Sequence, residues 1–123
     1  MSSRPILPPN PVIVNGDMSA NITSVVSILS NISMISYDIS WTGTSPIGTA
    51  AVQVSNTYKQ NAAGGQQVAG DWTTIPLSVT DISGNSGSGI IEIPEIATYA
   101  VRLIYTRTSG TGTMQATING KVR

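Results

Sequence analysis

Apolar and polar side chains alternate most regularly over residues 99–122. Every second residue is large and apolar over 99–105, and the alternation resumes over 114–118. A period of two places successive side chains on opposite faces of a strand, so one face of this segment is apolar and must be covered. The Thr/Ser/Gly stretch 108–113 between the two halves is typical of a turn. The pattern predicts a β-hairpin that needs further strands and a second layer around it.

Shorter segments of the same kind precede this one. The predicted strands are residues 21–29, 35–41, 49–56, 71–77 and 90–93. The predicted loops, rich in Gly, Ser, Asn or Pro, are residues 42–48, 58–70 and 83–89. Ile and Val together number 26 against 4 Leu, which favours strands because β-branched side chains suit a pleated sheet. The expected fold is all-β: a single antiparallel β-sandwich, jelly-roll or immunoglobulin-like, of about seven or eight strands.

Residues 1–14 are predicted to form an extended, proline-rich arm, and residues 15–123 the sandwich domain. Prolines at positions 5, 8, 9 and 11 exclude a helix and remove backbone donors. The apolar side chains between them would be exposed unless the arm packs along its own domain or reaches a neighbouring subunit. The sequence is compatible with both alternatives. For the second, the candidate partner-binding residues are Ile6, Leu7, Pro8, Pro9, Val12 and Ile13.

Only 12 of the 123 residues are charged, six basic and six acidic. The surface is therefore expected to consist mainly of hydroxyl and amide groups, without the clustered Lys and Arg that bind nucleic acid. So little charge favours a protein that works inside an assembly, because charge keeps an isolated monomer soluble. No run of residues is long and apolar enough for a membrane span, and the first residues do not have the form of a signal peptide. We expect neither nucleic acid nor a membrane as a partner.

The residue types argue against catalysis and against a bound metal or cofactor. The chain has no histidine and no cysteine, which removes the usual general base, the thiol nucleophile and the commonest zinc ligands. Asp38 and Glu92 fall on predicted strands and are the best candidates for a pair of carboxylates. The simpler interpretation is that each marks the solvent face of its strand. The sequence thus predicts no enzyme, no catalytic or metal-binding residue and no cofactor.

Four aromatic residues are candidates for a sugar-binding platform if they are exposed. They are Trp41, Trp72, Tyr99 and Tyr105. Three of them fall among Ile, Val and Leu on strongly alternating strands, so packing in the core is expected there. Trp72 has the weakest such pattern.

Three blocks of sequence resemble a group of small tailed-bacteriophage proteins encoded among virion genes. The blocks are SYDISWTGTSPIGTAAVQVSNTY (36–58), DWTTIPL (71–77) and YAVRLIYTRTSGTGTMQATINGKV (99–122). The resemblance implies a non-enzymatic structural virion protein, most simply a capsid decoration (cement) protein, with an adaptor or a tail or fibre component as alternatives. Its expected partners are the major capsid or another virion protein and its own copies, with a homo-oligomer, most simply a trimer, favoured. Its expected location is the virion, assembled in the host cytoplasm.

The same blocks carry a second, weaker resemblance. The order VQVS, a Trp-containing strand and YAVRL is similar to discoidin-type, galactose-binding-like sandwiches. That resemblance implies glycan binding through loops at one end of the sandwich, here residues 58–70 and 83–89. Carbohydrate binding is therefore the alternative function.

Overall fold

The computed structural model describes residues 6–30, 32–63 and 65–122, and strands dominate it. The longer strands are β1 (Ile6–Asp17), β4 (Met34–Ser55), β9 (Ser86–Ile93) and β10 (Ala100–Lys121). The short strands are β2 (Ile22–Thr23), β3 (Ser27–Ile28), β5 (Lys59–Gln60), β6 (Gln66–Val68), β7 (Thr73–Thr74) and β8 (Thr80–Ile82). A 3₁₀ turn spans Pro76–Ser78. The all-β fold class predicted from the sequence is confirmed.

Two strands of 22 residues each, β4 and β10, pair with one another over their whole length. The antiparallel ladder begins with Ser55 opposite Ala100 and continues to the far end of both strands. The predicted hairpin within 99–122 is therefore wrong, and so is the predicted loop at 42–48, because neither segment reverses the chain. The two Gly/Thr/Ser stretches lie opposite each other, and each supplies ladder partners for the other.

β4 and β10 pass through two layers of strands. In layer A, residues 34–42 of β4 and 113–121 of β10 lie at the centre, with β1 beside β10 and β9 beside β4. In layer B, residues 49–55 and 100–106 of the same two strands lie at the centre, flanked by β2 and β3 on one side and by β7 and β8 on the other. Buried side chains from both layers form one hydrophobic cluster. The architecture is an antiparallel, sandwich-like fold whose layers share their two central strands.

Close approach of the two backbones at the junction of the layers depends on glycine. Gly43 lies opposite Gly112, and a Cβ atom on either would overlap the backbone of the other strand. Gly110 has a φ of 80°, and an added Cβ would overlap the carbonyl of Ser45, which itself has a φ of 47°. Together with two register shifts in β10, these residues let both strands change direction at the same level.

Two buried serines complete the ladder of layer B where its edge strands are interrupted. The N–H of Leu103 donates to Ser24 Oγ at 2.7 Å. The N–H of Val52 donates to Ser78 Oγ at 2.8 Å. Val52 and Leu103 are cross-strand partners, so the two hydroxyls bond to opposite sides of one buried pair. Each serine satisfies a backbone donor that would otherwise be buried without a partner.

Four other segments differ from the sequence predictions. The predicted strand 21–29 forms only the short strands β2 and β3, and the predicted strand 71–77 forms only β7, followed by the 3₁₀ turn. In both segments, serine hydroxyls and loop backbone groups make the hydrogen bonds that a continuous strand would have made. Residues 86–89 belong to β9 and not to a loop, because their backbone pairs with β4. The predicted loop 58–70 carries the small exposed hairpin formed by β5 and β6.

The close approach at the junction can be tested with two glycines that both have positive φ. We expect Gly110→Ala to lower the free energy of unfolding by about 1–3 kcal/mol more than Gly84→Ala, since overpacking is added to the backbone strain that both variants share. An added Cβ at Gly84 meets its nearest atom at 3.8 Å, whereas Gly110 faces the carbonyl of Ser45. Urea denaturation followed by circular dichroism measures both losses. Equal losses would show that the junction has room for a side chain.

The role of the buried hydroxyl can be tested at Ser78. Ser78→Ala leaves the Val52 N–H without its acceptor, so we expect the free energy of unfolding to fall by about 1–3 kcal/mol. The neighbouring Leu77 is 99% exposed, and Leu77→Ala is the control, with an expected change within about 0.5 kcal/mol. Thermal and urea unfolding measure both. A Ser78→Ala variant as stable as the control would contradict this role.

Candidate functional site

β1 places the predicted partner-binding residues at an outer edge of layer A. Its backbone pairs with β10 from Ile6 to Asp17, with three register shifts along the way. Residues 6–14 of the predicted arm are therefore part of a strand that continues into the domain. Residues 1–5 of that arm lie outside the described residues.

The six candidate partner-binding residues divide between the core and the surface. Val12 and Ile13 are 4% and 5% exposed and belong to the hydrophobic core, and Leu7 packs against that core. Packing along the chain's own domain is thus the observed arrangement for these three side chains. The exposed candidates are Ile6, Pro8 and Pro9.

Val14 extends the exposed part of β1. It is 66% exposed, and Ile6 is 68% exposed. Beyond Val14, the N–H of Asn15 donates to Gln115 Oε1 at 3.0 Å, and Gln115 Nε2 donates to Asn15 Oδ1 at 2.6 Å. These bonds and the ladder to β10 fix the strand, while the side chains of Ile6 and Val14 stay exposed. We call this set the arm strip: Ile6, Pro8, Pro9 and Val14.

Asp38 and Glu92 lie on neighbouring strands and on the same face of layer A. Asp38 is opposite Ile90, and Glu92 is two residues further along β9, a diagonal spacing of about 7–8 Å. Both side chains are exposed. Within residues 6–30, 32–63 and 65–122, no three His, Cys, Asp or Glu residues come together as a metal site would require. The structure brings the two carboxylates to one solvent-exposed face of the sheet.

The aromatic residues divide differently from the sequence prediction. Trp41 and Tyr105 are 8% and 0% exposed, which confirms that they pack in the core. Tyr99 was also predicted there but is 42% exposed. It precedes the first ladder residue of β10, and its N–H donates to Asn56 Oδ1 at 2.9 Å, outside the regular sheet. The prediction for Tyr99 is wrong because the regular ladder of β10 begins only at Ala100.

Trp72 lies in an aromatic and polar cluster on the outer face of layer B. The guanidinium carbon of Arg102 is 4.2 Å from the centroid of the Trp72 ring, within the range of a cation–π contact. The ring of Tyr58 is 5.8 Å from Trp72 at an angle of 57°. Arg102 Nε donates to Gln53 Oε1 at 2.9 Å, and partial burial lowers the pKa of the guanidinium from its ordinary value. The cluster orders the end of the loop that follows β4.

A cleft of about 390 Å³ opens beside this cluster. Its lining is made of amide, ammonium and aromatic groups: Asn56, Tyr58, Lys59, Gln60, Gln67 and Tyr99. Of the two loops predicted to bind a glycan, the one at 58–70 contributes most of this lining, whereas part of the other belongs to β9. The sequence contained one signal for the cluster, since Arg102 is the charged residue within the apolar run 99–105.

The chain matches no protein-family model, and a search of curated proteins finds no similar protein. In the described part of the chain, no helix has the length and apolar character needed to cross a membrane.

Proposed function

We propose that this protein is a non-enzymatic structural component of a tailed-phage virion, most simply a capsid decoration protein that binds the major capsid protein and its own copies. The observation that carries the proposal is the arm strip, in which apolar side chains are held in solvent by a strand fixed at both ends. Exposed apolar groups that follow one another along one ordered strand favour a protein contact more than single scattered ones do. The resemblance to small virion proteins supplies the phage context.

The proposal of a non-enzymatic role rests on where the titratable groups lie. Asp38 and Glu92 are exposed on the open face of the sheet, where the neighbouring ladder residues Ser40 and Thr117 are polar and half-buried. Ile90, opposite Asp38, is itself exposed. A catalytic carboxyl group usually needs burial or a charged partner that adjusts its pKa. Both carboxylates are instead exposed to solvent.

In the proposed contact, each part of β1 has a different role. Val12 and Ile13 anchor the strand in its own core, and the arm strip presents Ile6 and Val14 to the partner. Because the ladder already fixes the backbone, binding costs little further conformational entropy. Copies arranged around a threefold axis, the favoured oligomer, would bury the same strip on every subunit.

The contact can be tested without disturbing the core. In the Ile6→Ser/Val14→Ser double variant we expect capsid and self-association to weaken by about 2–4 kcal/mol, or roughly 30- to 1,000-fold, from the loss of apolar burial. Analytical ultracentrifugation measures the oligomer, and electron microscopy of particles assembled with the variant measures occupancy. Deletion of residues 1–13 is a poorer test, because it removes Val12 and Ile13 from the core.

Leu77→Ser is the matched control, since Leu77 is an exposed apolar side chain on the turn beside β4. The control should retain the mass and occupancy of the unmodified protein. If the double variant also retains both, the arm strip is not the contact. Circular dichroism of both variants checks that the fold is unchanged.

Carbohydrate binding is a second candidate function, favoured by the cleft beside Trp72. Exposed Tyr99 offers a ring face for stacking on a sugar, and the amides of Asn56 and Gln67 are suited to bond with its hydroxyls. A tail or fibre adhesion component would use such a site. The lining of the cleft shares no residue with the arm strip, so the two candidates can be tested separately.

The second candidate predicts a specific loss at Tyr99. On a panel of bacterial surface glycans, Tyr99→Ala should bind at least about fivefold more weakly than the unmodified protein, as expected for the loss of a stacking contact of about 1 kcal/mol. Tyr99→Phe keeps the ring and should bind normally. The candidate fails if no glycan binds the unmodified protein, or if Tyr99→Ala binds as well as Tyr99→Phe.

A further inference from the structure

β9 is an edge strand of layer A that lacks the protection found on the other edges of the main sheet. β1 contains three prolines and three register shifts, and β2, β3, β7 and β8 are each two or three residues long. Short strands, prolines and bulges are the usual means by which proteins prevent edge-to-edge pairing. β9 has eight residues, pairs with β4 without a register shift, and contains neither proline nor lysine.

The direction of the backbone groups of β9 follows from one hydrogen bond. The N–H of Gly43 donates to the carbonyl of Asn85 at 2.8 Å, in the same register as the β4–β9 ladder. Bonded pairs alternate in an antiparallel ladder, so the odd-numbered residues of β9 bond to β4. The even-numbered residues direct their N–H and C=O groups away from the sheet: Ser86, Ser88, Ile90 and Glu92. Among the described residues, β4 is the strand that pairs with β9, and the 3₁₀ turn Pro76–Ser78 approaches β9 without pairing with its other edge.

We propose that β9 pairs in antiparallel fashion with β9 of a second copy of this chain, across a twofold axis at Gly89. Layer A of each copy has the strand order β1, β10, β4, β9. The pairing joins the two layers into one continuous sheet of eight strands. This contact lies at the opposite edge of layer A from the arm strip, and it does not depend on the virion role proposed above.

The alternation of backbone groups selects this register. Both members of each bonded pair must come from the outward-directed residues, which places Ser86 opposite Glu92 of the second copy and Ser88 opposite its Ile90. Four bonded pairs then form, with about eight hydrogen bonds. If one copy is shifted so that the pairing is displaced by two residues, outward-directed residues still pair with each other, but only three bonded pairs form instead of four. Gly89 faces Gly89 of the second copy on the axis.

Charge and side-chain size favour a second copy as the occupant. Glu92 is the charged residue of β9, and in this register it faces a serine, about 20 Å along the strand from its counterpart. Ile90, which is 64% exposed, gains a neighbour on the same face from Ser88 of the second copy. On the other face, Ile91 lies opposite Gly87, where there is no side chain to meet. The strand is thus complementary to itself when reversed, without like charges in contact.

Single cysteines give a direct test, because the chain contains no cysteine of its own. Gly89 and Gly89 of the second copy form a non-bonded pair on the axis. Their Cα atoms would be about 4.5 Å apart, a distance that a disulfide can bridge. An added Cβ at Gly89 meets its nearest atom, Ile39 Cγ1, at 3.9 Å, so the variant has room in the fold. We expect Gly89→Cys in the full chain to form a disulfide-linked dimer under mild oxidation, measured by non-reducing gel electrophoresis and intact mass.

Ser88→Cys and Ile90→Cys are the matched controls. In the proposed register Ser88 lies opposite Ile90 of the second copy. In either variant the two cysteines, one from each copy, would therefore have Cα atoms about 8–9 Å apart, beyond the reach of a disulfide. We expect both to form dimers at least tenfold more slowly than Gly89→Cys. A Gly89→Cys rate equal to that of the controls would overturn the proposal, whether β9 is unpaired or bound to a different protein.

A second pair of variants tests whether the edge itself is required. Ile90→Lys places like charges on both sides of the axis, and Ile90→Pro removes an outward N–H that β4 does not use. In the Gly89→Cys background, each should reduce the rate of dimer formation at least tenfold. Circular dichroism is expected to show that Ile90→Lys folds normally, so this variant decides the outcome if the proline variant does not fold. Cross-linking that persists in the lysine variant would also overturn the proposal.

Discussion

The pairing of β4 with β10 is the interaction on which the remaining structure depends. Every other strand of the main sheet bonds to one of these two strands: β1, β2 and β3 to β10, and β7, β8 and β9 to β4. The outer strands scarcely bond to each other, so each is positioned by the central pair. The arm strip and the edge of β9 consequently lie at opposite sides of one rigid layer, and the cleft beside Trp72 lies at the end of the other.

The central pair also explains the unusual composition of the chain. A strand that passes through two layers needs small residues where both backbones bend, which accounts for Gly43, Gly110 and Gly112. Short edge strands leave gaps in the ladder, and serine fills these with a compact hydroxyl, as at Ser24 and Ser78. Glycine and hydroxyl residues therefore have structural roles at the bend and in the core.

The alternation of residues predicted the fold class and the core positions of Trp41 and Tyr105, because a period of two depends on local geometry alone. It did not predict whether a Thr/Ser/Gly stretch reverses the chain or continues it, since that depends on the segment opposite. The stretch 108–113 is a strand because residues 42–48 lie across from it. The same limit applied to the candidate site on β1. The sequence identified its apolar residues, but the register of β1 against β10 determines that Val12 is buried and Val14 is exposed. The contact of Arg102 with Trp72 joins residues 30 positions apart and left only a weak local signal.

The order of the strands along the chain has a consequence for synthesis on the ribosome. β10 comes last of the ten strands, and its ladder partners in β4 are 45 residues away at Ser55 and 87 away at Met34. Until residues 100–106 have left the exit tunnel, layer B lacks its second central strand and β2 and β3 have nothing to bond to. Layer A and β1 wait longer, for residues 113–121. Contacts of such long range form slowly because the chain must first close a large loop. The nascent chain therefore exposes the apolar side chains of β1, β2 and β3 until β10 emerges, and exposed apolar strands of this kind are prone to aggregate.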